Sequence, residues 1–253
     1  MKLIIKIIII FLISVTLNAR EIGETEITTE DGIEVFQNEK FYLLKQNVKI
    51  VSDNFILNAD EVKINFDKNL YDITELDAYG SVDFHSKIFE IKGNGNFLNF
   101  EVNIEKIKVE GEGSELITKD VKMFSDGFIE VSNLSGDFLL KGINSKLVNE
   151  NIIIIAENID GKFSKNTQNQ EITYLEVNDN KISYVKNNDT EMYAKKINLD
   201  NDNATIELID NVTIIRNEER ISGDYGTLDT RNNSYKIKSN NKSKVKVIIQ
   251  NNE

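Results

Sequence analysis

The chain has 253 residues, 40% of them hydrophobic, a formal net charge of −12, no Cys, no Pro and a single His. That is enough chain to bury a sizeable core in one large unit or two modules, and it excludes a disulfide framework, Cys-based or multi-His zinc sites and a histidine proton relay. The acidic surplus also excludes nucleic acid as a partner and a basic patch laid on an anionic membrane, because both need an excess of Lys and Arg.

Residues 1–19 read MKLIIKIIIIFLISVTLNA. Lys2 and Lys6 form a positive start, Ile7 to Leu17 an apolar run, and Ala19 a small residue at a cleavage point. This is the layout of a secretory signal helix, and the apolar run is short for a span. The expectation is an exported, periplasmic chain beginning near Arg20. A retained inner-membrane anchor is the alternative.

From Ile33 onward the pattern is short apolar alternation broken by Asn, Asp and Gly. Phe55, Leu57 and Ala59 alternate with Ile56, Asn58 and Asp60; Val62, Ile64 and Phe66 with Lys63, Asn65 and Asp67. Leu76, Ala78, Gly80, Val82 and Phe84 continue it. A two-residue period puts alternate side chains on one face of a sheet. No stretch after the first segment keeps helical apolar spacing. Turn signals recur at Ser52–Asn54, Asp67–Asn69, Gly93–Gly95, Gly111–Gly113, Asn178–Asn180, Asn201–Asn203 and Arg231–Asn233. Such residues tolerate the positive φ of tight hairpins. One buried and one wet face per strand predicts antiparallel sheets.

The chain also repeats itself. Residues 47–60 align without gaps on residues 211–224, and the register runs on to Ile73 and Ile237. Asn47/Asn211, Val48/Val212, Ile50/Ile214, Asp60/Asp224 and Tyr71/Tyr235 are identical. Repetition of one supersecondary unit builds elongated β architectures.

These residues resemble the OstA-type module of the LptA family. Its pattern is a Gly-or-Asn-Val strand, a hairpin, a strand ending in Ala-Asp or Gly-Asp, an alternating strand and an Ala-x-Gly-x-Val strand. Here these are Asn47–Ile50, Phe55–Asp60, Val62–Phe66 and Ala78–Val82, with Asn211–Ile214 and Ile221–Leu228 as a second copy. Gly32–Phe36 is similar to the family's entry strand. The resemblance covers residues 32–92 and 190–249 and fades between about 105 and 185. It implies an all-β, elongated open antiparallel β-jellyroll after the signal helix. The division expected is 1–19 signal, 20–110 first module, 111–185 additional strands, 186–250 second module. It implies a bridge or carrier that binds lipopolysaccharide through its acyl chains, passing it from inner to outer membrane. LptC-like and LptD-like proteins, and further copies of the chain, are the partners implied, joined edge to edge.

An acyl-chain carrier needs an apolar lining. The alternating faces supply Val48, Ile50, Leu57, Val62, Ile64, Phe66, Leu76, Val82 and Phe84 in the first copy. Val212, Ile214, Leu228 and Ile237 correspond in the second. The same residues would line the core of any β-sandwich. Net acidity points phosphorylated headgroups toward solvent. Ile33 and Val35 at one end, and Val245, Val247 and Ile249 at the other, are the candidate edge-strand contacts for β-augmentation.

No catalytic or metal residues and no cofactor are expected. His85 stands alone beside Ser86, so no Ser-His-Asp arrangement beyond it can form. Gly93–Gly95 and Gly111–Gly113 lack the Lys-Ser/Thr and helix of a phosphate loop. Asp200–Asn203 lacks the rest of a calcium loop and reads as a hairpin turn. A membrane-anchored LptC-like adaptor and a secreted β-solenoid binding or acting on polysaccharide remain as alternatives. So does a surface protein with no groove.

Overall fold

The computed structural model describes residues 24–68, 72–88, 90–150, 152–164, 171–217, 219–240 and 244–249. The expected signal segment, residues 1–19, lies outside them. Among the described residues eighteen strands form one sheet. They are β1 (Glu26–Thr28), β2 (Ile33–Phe36), β3 (Phe41–Val51), β4 (Phe55–Phe66), β5 (Ile73–Ser86), β6 (Ile91–Glu101), β7 (Lys106–Glu110), β8 (Ser114–Ile117) and β9 (Val121–Ser125). The remainder are β10 (Phe128–Ser132), β11 (Asp137–Asn149), β12 (Ile152–Phe163), β13 (Ile172–Asn187), β14 (Thr190–Asp200), β15 (Thr205–Arg216), β16 (Glu219–Asp229), β17 (Ser234–Lys238) and β18 (Lys246–Ile249). A single 3-10 turn covers Val102–Ile104, and no α-helix occurs among the described residues.

Every ladder is antiparallel. The long strands share a second property: each pairing slips in mid-strand, for example between Lys45 and Val48 of β3, Asn58 and Glu61 of β4, and Tyr79 and Val82 of β5. The same slip recurs from β11 to β16. A bulge bends a strand and re-aims it. Here the bulges stack into one crease, so each strand contributes half its length to each of two leaves. Leaf A holds β2, β7, β10, β17 and the matching halves of the long strands; leaf B holds β1, β8, β9, β18 and the other halves. At four rungs the strand breaks outright at the crease. Thus β7 with β8, and β9 with β10, each form one rung split at the crease. The first rung (β1, β2) and the last (β17, β18) are split likewise. Eighteen strands, four pairs of which share a rung, make fourteen rungs. At about 4.8 Å per rung the jellyroll is roughly 60 Å long.

The crease explains the repeat. Gln46 and Asn47 have φ of 63° and 50°, and Asp210 and Asn211 have φ of 63° and 58°. Both pairs are the residues skipped by the ladder, one turn of left-handed backbone that Asn accepts more readily than most residues. The carboxylates of the motif sit there too. Asp60 Oδ2 accepts from the Ser81 backbone N–H at 3.1 Å, against Gly80 at φ 91°, where a Cβ would collide with that carboxylate. Asp224 accepts from the Asn240 N–H at 2.8 Å. Backbone donors freed by a bulge are thereby satisfied.

Between the leaves lies one apolar core. A cross-strand row runs from Leu44 through Val62, Ala78, Leu98, Val109 and Ile129 to Leu208, with no member more than 1% exposed. The row passes through β7, β10, β11, β12 and β13 without a gap.

Two expected turns are not turns. Gly93–Gly95 lies inside β6, where Gly93 faces Phe84 directly across the ladder and a Cβ would strike its ring. Glycine is used there for close approach, not for a bend. Asn178–Asn180 lies inside β13, at the crease.

Candidate functional site

The two leaves close on each other along the core and part at the mouth opposite the crease. Near the first rungs an apolar cavity of about 470 Å³ opens between them. Leaf B supplies Ile27, Ile50, Phe55 and Phe84; leaf A supplies Ile64, Leu76, Leu98 and Phe100. Strand alternation aims these side chains inward, and the short hairpins β3–β4 and β5–β6 set the rim. Phe55 and Phe84 rings stand 6.4 Å apart. Ile73 and Ile88 lie at the mouth, 38% and 62% exposed. A concave apolar site of this volume is typical for a small hydrophobic ligand.

Of the thirteen candidate lining residues, Ile50, Ile64, Leu76 and Phe84 come together in this cavity. Val48, Leu57, Val62, Phe66, Val82, Val212, Ile214 and Leu228 are buried in the packed interior and do not line it, and Ile237 packs partly buried against that core. Ile27, Phe55, Leu98 and Phe100 are lining residues absent from the candidate set, although Phe55 stands in the alternating run Phe55, Leu57 and Ala59. Leu98 and Phe100 alternate within β6 and carried the needed signal; Ile27 sits on a three-residue strand too short to show a period.

Farther along, the mouth between the leaves changes character. Its cavity of about 330 Å³ is bordered by Asp120, Glu150, Glu171 and Asp200, with Asn149 and Asn187 beside them. Asp200 is held below the usual carboxylate range by hydrogen bonds from Asn203, first from its backbone and then from its side chain. Among the described residues no group of three or more His, Cys, Asp or Glu is placed to hold a metal ion.

The outer face of leaf A is acidic. Asp77 shares a cross-strand row with Asp160 and Glu176, joined through Asn99, Lys108, Glu130 and Leu139. Burial raises the Asp77 carboxyl above its ordinary range, the Asn99 amide at 2.7 Å opposes this, and Glu75 adds to the rise. Asp160 is raised by burial, then by Glu176 and Asp137.

The candidate edge residues fall on the first and last rungs. Ile33 and Val35 are exposed on β2, Val247 and Ile249 on β18, and Val245 just before it. At each end a second strand shares the edge rung, β1 at one and β17 at the other.

Against known proteins, the family described as LptA/(LptD N-terminal domain) LPS transport protein matches residues 28–125 and 130–234. No curated protein sequence matches. Among solved structures, LptH, the LptA-homologous periplasmic component of the lipopolysaccharide transport device of Pseudomonas aeruginosa, is similar at 15% identity and a TM-score of 0.44, covering 52% of this chain and 95% of its own. Among the described residues no helix is long and apolar enough to cross a membrane. With the family pattern matched over most of its length, the chain belongs to the LptA/LptD N-terminal-domain family of lipopolysaccharide transport proteins.

Proposed function

We propose that this chain is a periplasmic, non-enzymatic carrier that holds lipopolysaccharide by its lipid A acyl chains in the groove between the first rungs of the two leaves. The observation that carries this reading is the apolar cavity of about 470 Å³ with isoleucines exposed at its mouth. Each methylene buried gains about 0.8 kcal/mol. Ten of them supply about 8 kcal/mol, a micromolar affinity before ordering costs. The test is site-specific photo-crosslinking. Crosslinkers at Ile50, Ile64 and Phe84, which face inward, trap lipid; those at Lys49, Lys63 and Asp83, which face outward on the same strands, do not. The reverse pattern refutes the reading.

The ends support edge-to-edge pairing with further copies and with LptC-like and LptD-like partners. Six carboxylates and no Lys or Arg lie between Glu24 and Glu39, while six Lys or Arg and no carboxylate lie between Arg231 and Ile249. Complementary charge favours head-to-tail contact over head-to-head. An even number of rungs means that the first rung of a second copy meets the last of the first running antiparallel, with leaves matched. The groove would continue across such a junction.

A further inference from the structure

The net charge of −12 points phosphorylated headgroups toward solvent, but charge is unevenly placed. The β5–β6 hairpin has two sides. Ser86 and Ile88 line the apolar groove. His85, Lys87 and Lys92 line a second cavity of about 430 Å³ on the other side, closed by Thr118 and Lys119 of the β8–β9 turn.

The ladder brings these groups together across more than thirty residues of chain. His85 is directly opposite Lys92, and Lys92 opposite Ile117. Ile117 in turn faces Lys122 of β9, a further exposed cation beside the cluster. Thr118 is buried and clasps the turn: its hydroxyl accepts from the Val121 N–H at 3.0 Å and donates to the Val121 carbonyl at 3.3 Å. That clasp presents Lys119 beside the hairpin. One carboxylate, Glu90, borders the cavity. Among the described residues none of the ion pairs takes Lys87, Lys92 or Lys119. Three ammonium groups around one cavity repel one another, and an anion between them relieves that repulsion.

We infer that the cavity outside the β5–β6 hairpin is a phosphate-monoester site. A phosphate monoester brings nearly two negative charges and three strong acceptors, which suits three ammonium donors. That the phosphate belongs to the lipid in the neighbouring groove rests on the carrier reading above; the anion chemistry does not. A phosphorylated glycolipid then straddles one hairpin, with its tails on the Ile88 side and a phosphate on the Lys87 side.

The test compares the full chain with a K87Q/K92Q/K119Q variant and a triple Lys→Arg control. All three lysines are exposed, so the fold is retained, which an unchanged melting temperature verifies. The ligands are lipid A with its phosphates, the same lipid dephosphorylated, both in detergent micelles, and inorganic phosphate alone. The native chain binds the phosphorylated lipid at least about tenfold more tightly, the worth of one charge-assisted hydrogen bond. The Gln variant loses that preference, keeps its affinity for the dephosphorylated lipid, and the Arg control retains both. Inorganic phosphate shifts the backbone resonances of Lys87, Lys92 and Lys119 in the native chain and not in the Gln variant. A preference that survives in the Gln variant overturns the inference. So do equal binding of both lipids and no phosphate shift, and in that case the carrier reading stands. Phosphate shifts without binding of either lipid uphold the anion site and overturn the carrier reading.

Discussion

Asp179 offers the most direct test of how the crease is held. It is 6% exposed, and its carboxylate accepts four hydrogen bonds: from the Glu157 N–H at 2.6 Å, the Asn158 N–H at 3.0 Å, the Asn158 amide at 3.1 Å and the Ser183 hydroxyl at 2.9 Å. The first two donors belong to residues that the β12–β13 ladder skips between Ile155 and Ile159, so no strand carbonyl replaces the carboxylate. Asp179→Ala takes the acceptor from two backbone donors, the Asn158 side-chain amide and the Ser183 hydroxyl. Each such group costs about 1–3 kcal/mol. Water reaches the half-buried Glu157 and Asn158, and removing a buried charge recovers some desolvation. The net loss is therefore about 2–4 kcal/mol. For a chain of this size that is a fall in melting temperature of roughly 4–16 °C. Ser183→Ala removes one of the four bonds and costs about 1 kcal/mol. Asp179→Asn keeps one acceptor oxygen but turns an NH₂ toward a donor, and loses at least half as much as the Ala variant. Urea denaturation supplies the free energies, and amide exchange at Glu157 and Asn158 locates them. A loss below about 0.5 kcal/mol with both amides still protected would refute this account of the crease.

Two further outcomes follow from the geometry. Asn47→Gly and Asn211→Gly leave stability within about 0.5 kcal/mol, while Asn47→Val and Asn211→Val each cost at least about 1–2 kcal/mol, because a β-branched residue resists the left-handed backbone there; equal urea midpoints for the Gly and Val forms would contradict this. At Asp77 the folded protein holds its proton more tightly than the unfolded chain, whose carboxyl titrates near 3.8. The favourable contribution is complete below that pH and disappears as pH rises through the elevated folded value. Asp77→Asn keeps an acceptor for Asn99, so it matches the native chain in acid and exceeds it at neutral pH, by under about 1 kcal/mol. A melting-temperature difference that shrinks as pH rises would show the sign to be wrong.

Strand content and pairing were legible because alternation is a direct imprint of a two-faced sheet. Asn47 and Asn211 were legible as a repeat, and their backbone angles supply the reason: each turns the chain from one leaf to the other. The errors share a cause. Gly93–Gly95 and Asn178–Asn180 carry turn-forming residues, yet such residues serve equally well beneath an aromatic ring or at a bulge. Composition does not distinguish these uses. The cavity was only partly legible. Val62 and Ile64 have the same alternation, but Val62 is enclosed in the packed row while Ile64 borders open space. That difference depends on how far the leaves part, which is set by neighbours from other rungs. His85 appeared isolated for the same reason, since Lys119 reaches it only through the β6–β8 ladder.

The bulk charge misleads about the site through a matter of range. At physiological salt, interactions between exposed charges fade beyond about 8 Å. The acidic row of Asp77, Asp160 and Glu176 lies on the outer face of leaf A, with the core and the whole of leaf B between it and the cations at the β5–β6 hairpin. Facing sheets alone stand about 10 Å apart. An anion at Lys87, Lys92 and Lys119 is therefore governed by those three, by Glu90, and by Asp83 and Glu115 at the next positions of the same face, rather than by the sum of −12. The acidic rim of Asp120, Glu150, Glu171 and Asp200 acts in the opposite sense farther along the mouth, where four carboxylates and no Lys or Arg line the cavity. Among these cavities, apolar lining and neighbouring cations coincide in the first rungs, so the proposed tail groove and the proposed phosphate site share one section of the jellyroll.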